Sequence, residues 1–313
     1  MRPGSSMTTI RGTKEKRKPR QTGPDFGIIC VKNNEKIYNK FLGATVNKLA
    51  GSYKHLAVNN IGNKSFTSAA AALNHGANKI GYCKYYIFVH ADVMFKDKFW
   101  LSKTKTICDN IDDLGVAGCA GVTLAGKFRG RLTNGWLSRQ KLPAEEVMTL
   151  DELIMIVPYD VFDRLKFDSK TFNSWHSYGS DYSLAVTDLG LKAYAIKNPV
   201  YHDSPGYSIK TGTLNREQDK LKKKWKHKFN HIRTTCGKLF AITSHPMKRI
   251  PPVRPASRRS ASLRIPRRKG LRRSGFNKSR FAGYKKKKHE PRKKKTGDIA
   301  PRARVKLTKK NTR

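Results

Sequence analysis

Acidic residues, long apolar runs and cysteines are all scarce in this sequence, and each scarcity excludes a class of protein. The 313 residues contain 22 Asp and Glu against 66 Lys and Arg, which gives a formal net charge of +44. No run approaches the roughly 18 consecutive apolar residues that a transmembrane helix needs. The basic N-terminus is followed by Pro24, Asp25 and Gly27, where a signal peptide would have its apolar segment. We therefore expect neither a transmembrane helix nor a signal peptide.

The cysteines are odd in number, and no two of them have the C-x-x-C spacing of a zinc or redox motif. They are Cys30, Cys83, Cys108, Cys119 and Cys236. This pattern indicates buried free thiols in a reducing compartment rather than a disulfide framework or a zinc site. We expect a cytoplasmic protein.

Positive charge is concentrated at the two ends of the chain. Residues 246–313 carry 27 basic and 2 acidic side chains, which is +25 of the total of +44. This segment has too few large apolar residues to offset its ordering entropy. The predicted organisation is a basic disordered extension at 1–23, one globular domain at 24–245 and a Lys/Arg-rich disordered tail at 246–313.

Short apolar segments alternate with segments of helical periodicity through the predicted domain. The predicted strands are 26–32, 56–58, 85–89, 116–121, 150–157 and 192–196. The predicted helices are 37–49, 65–77, 99–111, 159–165, 182–189 and 220–232, with an irregular loop at 123–142. This alternation indicates an α/β fold in which helices flank a mostly parallel sheet.

Two polar side chains follow directly on the predicted strand 85–89. His90 and Asp92 project on the same side of the chain because successive strand side chains alternate. Open α/β sheets bind ligands beyond the carboxyl ends of their strands. The pair is therefore either a divalent-cation site, with Asp92 as the harder ligand, or an ordinary polar turn.

Two further polar clusters occur later in the chain. In the segment 175–182, Asp181 lies near the start of a predicted helix, where it is either an N-cap or a general base. In the segment 200–206, His202 follows the last predicted strand and is either a metal ligand or an ordinary loop histidine.

Five motifs stand in an order that carries a family resemblance. They are Ala72-Leu73-Asn74, Phe88-Val89-His90-Ala91-Asp92-Val93, Phe167-Asp168, His176-Ser177-Tyr178-Gly179-Ser180-Asp181 and His202-Asp203-Ser204. Together they resemble the GT-A glycosyltransferases of family 2, in particular the branch similar to the StrF-like domain of streptomycin biosynthesis. The likeness covers about residues 26–207, and the basic tail has no counterpart in it.

The resemblance implies a GT-A, Rossmann-like fold and a metal-dependent, inverting transfer of a sugar from a nucleotide-diphosphate sugar to a hydroxyl acceptor. It implies that Asp92 faces a Mn²⁺ or Mg²⁺ ion, with His90 in place of the first Asp of an Asp-x-Asp signature. His202 would be the third ligand of that ion. Asp181 would be the base that deprotonates the acceptor hydroxyl.

The resemblance also implies positions for both substrates. The residues expected at the nucleotide donor are Asn33, Asn34, Asn59 and Asn74, together with the metal-facing Asp92. The residues expected at the acceptor are Trp136, Trp175 and His176. A purely structural role is the alternative for the Asn and Trp residues.

Two other classes of function stay open on the sequence. One is a catalytically inactive GT-A-like domain in a nucleic-acid-binding or packaging protein, and the presence of both Asp92 and Asp181 favours the enzyme over it. The other is a nucleotidyltransferase, which would carry a basic Gly-rich phosphate loop after the first strand. Asn33-Asn34-Glu35 stands there instead.

The tail is dense enough in Lys and Arg, at 285–288 and 292–295, to bind polyanions in a salt-sensitive way. Interleaved Phe276, Phe281 and Tyr284 are suited to stacking on bases. The expected partner is non-specific nucleic acid or an anionic membrane surface, on which the protein would be peripheral. The alternatives are a nuclear localisation signal or a tail that contacts only solvent.

Overall fold

The computed structural model describes residues 22–130, 140–203, 212–236 and 239–241; Trp136, the predicted tail and nearly all of the predicted N-terminal extension lie outside these ranges. The strands are β1 (Phe26–Lys32), β2 (Tyr53–Asn59), β3 (Tyr85–Val89), β4 (Val93–Met94), β5 (Leu114–Gly118), β6 (Ala120–Val122), β7 (Phe128–Gly130), β8 (Ala144–Val147), β9 (Thr149–Leu150), β10 (Ile154–Pro158), β11 (Lys192–Ile196), β12 (Tyr201–His202), β13 (His231–Arg233) and β14 (Leu239–Ala241). The α-helices are α1 (Glu35–Lys40), α2 (Leu42–Val46), α3 (Ala69–Ile80), α4 (Trp100–Asp109), α5 (Tyr159–Arg164), α6 (Tyr178–Asp188) and α7 (Thr213–Trp225).

Seven of the described strands form a central sheet in the order β2-β1-β3-β10-β5-β11-β8. β1 pairs in parallel with β2 and β3, and β11 pairs in parallel with β5. β10 runs antiparallel to both β3 and β5, and β8 runs antiparallel to β11. The predicted α/β fold with a mostly parallel sheet is confirmed, but the predicted strand 150–157 is divided into β9 and the antiparallel β10.

Apolar side chains cover both faces of the sheet, as expected for strands that are nearly continuous apolar runs. Residues of α3, α5, α6 and α7 contribute to the core on one face, and residues of α2 and α4 contribute on the other. Helix α3 approaches the sheet closely through Gly76, where a Cβ would lie 2.6 Å from Cγ2 of Ile29 and 2.9 Å from Cγ2 of Val58. With both faces covered, the ends of the strands are left as the place for a site.

Helices α6 and α7 begin several residues earlier than their sequence pattern predicts. Helix α6 begins at Tyr178 instead of residue 182, after Ser177 turns the chain with a φ of 66°. Asp181 is therefore in the first turn of α6 and is not its N-cap. Helix α7 covers 213–225 instead of 220–232, because its buried face already starts at Leu214, before the basic run. None of the described helices is long and apolar enough to cross a membrane.

The segment after β5 contains more strands than predicted. The predicted strand 116–121 comprises the end of β5 and the start of β6, and β6 leaves the central sheet to pair with β7 and β9. Strand β7 lies inside the predicted loop 123–142, of which residues 131–139 are outside the described ranges.

All five cysteines are free thiols. Four of them are buried, and burial raises their pKa well above its ordinary value. The predicted buried thiols are thus confirmed for these four, whereas Cys236 is exposed.

Candidate functional site

A cavity of about 460 Å³ opens at the edge of the sheet where β1 and β3 end. The residues that line it belong to the end of β1, the turn after β3, the turn before β10 and the start of α6. Leu214 and Gln218 of α7 also line it. Strand β10 contributes its beginning to this edge because it runs antiparallel to β3, with Ile154 opposite Val89. The cavity therefore lies where open α/β sheets hold their ligands.

Within the part of the chain that the structure describes, one group of three potential metal ligands occurs, and it consists of His90, Asp92 and His202. Their ligand atoms all lie within 4.8 Å of one another. Nδ1 of His90 is 4.0 Å from Oδ1 of Asp92, and Nε2 of His202 is 3.3 Å from the same oxygen. The structure brings together the three residues that the sequence predicts as ligands, and all three line the cavity.

A short strand ladder and a tyrosine hydroxyl set the positions of the two histidines. Strand β12 pairs antiparallel with β4, which places His202 opposite Val93 and beside Asp92. Nε2 of His90 lies 3.3 Å from the hydroxyl oxygen of Tyr178 in α6. Because that contact occupies Nε2, Nδ1 is the His90 nitrogen on the side of Asp92. Contacts of this kind fix the ring orientation of metal-ligating histidines.

The charges around this group favour an ionised Asp92. Burial opposes ionisation of Asp92, but the adjacent imidazoles of His202 and His90 outweigh it and lower the pKa of the carboxyl. Burial also opposes protonation of His202, yet Asp92 raises its pKa, whereas the pKa of His90 is lowered by burial. Oδ1 of Asp92 is buried and accepts no well-formed hydrogen bond from the described residues. An ionised carboxylate beside two imidazoles fits a divalent cation such as Mn²⁺ or Mg²⁺.

Two of the predicted nucleotide-site asparagines, Asn33 and Asn34, line the cavity at the end of β1. Asn34 is also the N-cap of α1. Oδ1 of Asn33 accepts a 3.1 Å hydrogen bond from Nδ2 of the buried Asn60. The predicted Asn59 is exposed and lines a second cavity beside β2. Since neighbouring side chains of an extended segment point in opposite directions, the residue that reaches Asn33 is Asn60 and not Asn59.

Asn74 does not line the cavity. Its Nδ2 donates to the carbonyl of Phe167 at 2.8 Å, and its Oδ1 accepts the N–H of Phe167 at 3.1 Å. This pair of hydrogen bonds joins α3 to the segment that precedes Asp168. These contacts favour a structural role for Asn74, which is the alternative that the sequence left open beside donor binding.

Asp181 is 2% exposed and is not among the residues that line the cavity. Its Oδ1 accepts a 2.7 Å hydrogen bond from Nε1 of Trp225 and lies 2.9 Å from Nζ of Lys224. The same lysine nitrogen donates to Oδ2 of Asp168 at 2.8 Å. Burial raises the pKa of Asp181 although Lys224 and Trp225 oppose the shift. The carboxylate that the sequence predicts as the base therefore attaches α7 to α6.

The predicted acceptor residues have mixed outcomes. Trp175 and His176 line the cavity in the segment that leads into α6. Burial lowers the pKa of His176, so its imidazole is mainly neutral at pH 7. Trp136 lies outside the described residues.

The cavity residues that the sequence did not predict include three with polar side chains, Asp151, Glu152 and Gln218. Asp151 and Glu152 immediately precede β10, and they reach this edge only because β10 is antiparallel. An acidic pair in front of an apolar strand was the available signal. Gln218 is 2% exposed, and neither polar atom of its side-chain amide has a hydrogen-bond partner among the described residues. It is therefore a polar group available to a bound molecule.

No protein-family model matches the chain, and no curated protein matches its sequence. Similar solved structures include glycosyltransferases. A mannosyltransferase from Pyrobaculum calidifontis, in complex with GDP-Man and Mn²⁺, is 11% identical over 68% of this chain and 74% of its own, with a TM-score of 0.43. TarS from S. aureus is 15% identical over 58% of this chain and 61% of its own, with a TM-score of 0.41. A mutant Drosophila β1,4-galactosyltransferase 7, in complex with manganese, UDP-Gal and xylobiose, is 12% identical over 62% of this chain and 79% of its own, with a TM-score of 0.38. Likenesses of this extent assign no residue role and no substrate here.

Proposed function

We propose that this chain is a metal-dependent, inverting glycosyltransferase of the StrF-like branch of family 2, which transfers a sugar from a nucleotide-diphosphate sugar to a hydroxyl acceptor. The observation that carries the proposal is the group of His90, Asp92 and His202 in the wall of a cavity of about 460 Å³ at the end of β3. The same residues belong to the motifs on which the family resemblance rests.

The order of the strands supports a donor lying along this edge. β1 and β3 are neighbours in the sheet, so Asn33 and Asn34 at the end of one lie next to His90 and Asp92 at the end of the other. Amide side chains can bond both donors and acceptors of a nucleoside. A nucleotide held beside β1 would thus direct its diphosphate towards the candidate cation site.

His90, Asp92 and His202 would hold the cation. When bound, a Mn²⁺ or Mg²⁺ ion there neutralises the charge that develops on the departing diphosphate. Tyr178 orients the His90 ring through the contact with Nε2. Leu150 and Leu214 contribute apolar walls that limit the access of water to the reacting atoms.

Trp175 and His176 would contact the acceptor. Both lie in the cavity wall formed by the segment before α6. An aromatic face is suited to packing against the apolar C–H face of a sugar ring, so a saccharide or another hydroxyl compound fits this position.

A thermal-shift experiment tests the donor site. The full chain is heated with UDP-, GDP-, ADP-, CMP- and dTDP-sugars, with and without Mn²⁺. We expect one nucleotide to raise the Tm only when Mn²⁺ is present, because a ligand that binds only the folded state stabilises it. In Asp92→Ala this metal-dependent shift is expected to vanish. No shift with any sugar nucleotide, or a shift that persists in Asp92→Ala, would contradict the proposal.

The concentration of positive charge at 246–313 favours polyanion binding as a second activity. Such binding rests on counterion release, so its affinity falls steeply as salt is raised. We propose non-specific nucleic acid or an anionic membrane surface as the partner, in a cytoplasmic protein. Titration of the full chain with RNA, double-stranded DNA and phosphatidylserine vesicles at two salt concentrations tests this. A clear polyanion response without any sugar-nucleotide response would favour an inactive GT-A-like domain in a nucleic-acid-binding protein.

A further inference from the structure

We propose that Glu152, instead of Asp181, is the carboxylate that accepts the proton of the attacking hydroxyl. This inference rests on the proposed glycosyltransferase function and deepens it. It stands on the position of Glu152 in the cavity wall and on its packing against Gly179.

The strand order gives the position. Along the edge of the sheet, the end of β1 is followed by the end of β3 and then by the start of β10. The candidate nucleotide residues, the candidate cation site and Glu152 therefore follow one another in that order. A base for inversion must lie beyond the anomeric carbon, on the side away from the leaving diphosphate. In the strand order, Glu152 lies beyond the candidate cation site as seen from the candidate nucleotide residues, which is the side that inversion requires.

The packing of α6 fixes the Glu152 side chain. Backbone N–H of Gly179 donates to Oε1 of Glu152 at 3.1 Å. A Cβ at Gly179 would lie 2.7 Å from Cγ of Glu152 and 2.9 Å from Sδ of Met155. The glycine thus leaves the space that the Glu152 side chain occupies, at the turn of α6 that faces the cavity.

The surroundings of Glu152 suit proton transfer near neutral pH. Burial, and after it the negative charges of Asp151 and Glu217, raise the pKa of Glu152 to about 8, while the N–H groups of Gly179 and Ser177 oppose the shift. Among the described residues, Tyr178 and Cys236 are titratable groups that also interact with Glu152. A carboxylate with a pKa near the working pH is a far better base than an ordinary one.

The other carboxylates are less suited to this role. Asp181 is outside the cavity wall and is bonded to Trp225 and Lys224. Asp92 belongs to the cation site. Asp151 also lines the cavity, but its hydrogen bond is local: its Oδ1 accepts the N–H of Leu153 at 3.1 Å in the turn before β10, whereas Oε1 of Glu152 is held from α6.

Sugar transfer with Glu152 as the base needs only the donor and the acceptor. The acceptor O–H proton passes to the Glu152 carboxylate as the acceptor oxygen forms a bond to the anomeric carbon. The bond from that carbon to the diphosphate oxygen breaks, and its electron pair leaves with the nucleoside diphosphate. Glu152 then releases the proton to solvent.

The test measures nucleoside diphosphate release from UDP-glucose, GDP-mannose, ADP-glucose and dTDP-glucose with Mn²⁺ and with water as the acceptor. We expect Glu152→Gln to lower kcat by about 10²–10⁴-fold, the usual contribution of a positioned base, while the donor-induced Tm shift is retained. Wild-type kcat should rise with pH up to about 8, because the base acts deprotonated, and Glu152→Gln should lack this rise. Gly179→Ala should also lower kcat, because the added Cβ displaces the Glu152 side chain.

Asp181→Asn is the comparison variant: it should lower the Tm by weakening the contact between α6 and α7, and the turnover that it retains should keep the wild-type dependence on pH. The inference is overturned if Glu152→Gln keeps the wild-type kcat and pH profile, or if Asp181→Asn loses turnover at an unchanged Tm. Either result leaves the proposed function intact, provided that the wild type releases nucleoside diphosphate. If the wild type neither binds nor turns over any of the four donors, the proposed function fails, and the role of Glu152 fails with it.

Discussion

Nε1 of Trp225 donates a 2.7 Å hydrogen bond to Oδ1 of Asp181, which joins the last turn of α7 to the first turn of α6. Lys224 extends this contact by bonding Asp181 and Asp168 with one nitrogen. Two acidic residues of the family-like motifs thus hold α7 in place. Because Leu214 and Gln218 of this helix line the cavity, the arrangement also shapes one wall of the site.

Removal of the indole donor should destabilise the chain. Trp225→Phe leaves Asp181 with a buried oxygen that has lost its closest partner, at a cost of about 1–3 kcal/mol in the free energy of unfolding. Urea unfolding followed by circular dichroism measures this. Lys223→Gln, on the exposed side of the same helix, is the control and should unfold like the wild type. Equal stability of Trp225→Phe and the control would show that the hydrogen bond does not hold α7.

Asp92 should dominate the binding of the metal. It contributes the oxygen that lies closest to both imidazoles, and its lowered pKa keeps it ionised at pH 7. We expect Asp92→Asn to abolish Mn²⁺ binding in isothermal titration calorimetry, since the amide lacks the charge. Asp97→Asn, which removes an aspartate bonded to Lys103 away from the cavity, should bind Mn²⁺ like the wild type. Unchanged Mn²⁺ affinity in Asp92→Asn would place the metal elsewhere.

Tyr178 should increase the affinity of the site for Mn²⁺ without being a ligand of the ion. Its hydroxyl lies 3.3 Å from Nε2 of His90. Tyr178→Phe keeps the ring in the core but frees that nitrogen, and loss of such an outer contact typically weakens metal affinity by about 10–100-fold. The Mn²⁺ Kd from calorimetry and the Tm are measured together. A lower Tm with an unchanged Kd would indicate that the hydroxyl serves only the fold.

The three residues of the candidate cation site were predicted from the sequence together with the family resemblance, whereas the position of Glu152 was not predicted. His90 and Asp92 could be recognised as a candidate pair from local features of the sequence. These features are the apolar strand that precedes them and their separation by one residue, which puts both side chains on the same side of the chain. His202 was assigned by the order of motifs, since the β4–β12 ladder that brings it to Asp92 is a long-range pairing. Strand direction is also non-local: the apolar pattern of β10 is the same whether it is parallel or antiparallel. For that reason Glu152 could not be assigned to this edge.

Helix boundaries and the hydrogen-bond partners of side chains also depend on long-range structure, so the sequence pattern alone did not predict them. The positive φ of Ser177 starts α6 four residues early and moves Asp181 from a cap position into the buried first turn. The partners of Asp181 come from α7, whose extent the basic composition of 220–232 obscured. The groups that surround a carboxylate are a property of the fold, so the motif alone did not show the contacts of Asp181 with Trp225 and Lys224.

Asn74 should matter for stability and not for the donor. Its amide makes two hydrogen bonds to the backbone of Phe167 and lies outside the cavity. Asn74→Ala should therefore reduce the free energy of unfolding by about 1–3 kcal/mol, as expected when buried polar groups lose their partners. The metal-dependent Tm shift with a sugar nucleotide should keep its size. If Asn74→Ala lost that shift while its Tm without the sugar nucleotide stayed at the wild-type value, Asn74 would be a residue of the donor site.

Asp109 should make the fold sensitive to acid between about pH 4 and pH 2. Burial opposes its ionisation, but hydrogen bonds from Lys105, Lys84 and Tyr85 outweigh this and lower its pKa to about 2. A carboxyl whose pKa is lower in the folded state contributes stability above its unfolded pKa and loses it as the pH falls towards the folded pKa. Urea unfolding at pH 6 and pH 3 should therefore show a smaller loss of stability in Asp109→Asn than in the wild type. Asp112→Asn, at an exposed neighbouring position, should lose as much as the wild type; identical losses in all three proteins would mean that the Asp109 cluster does not control acid stability.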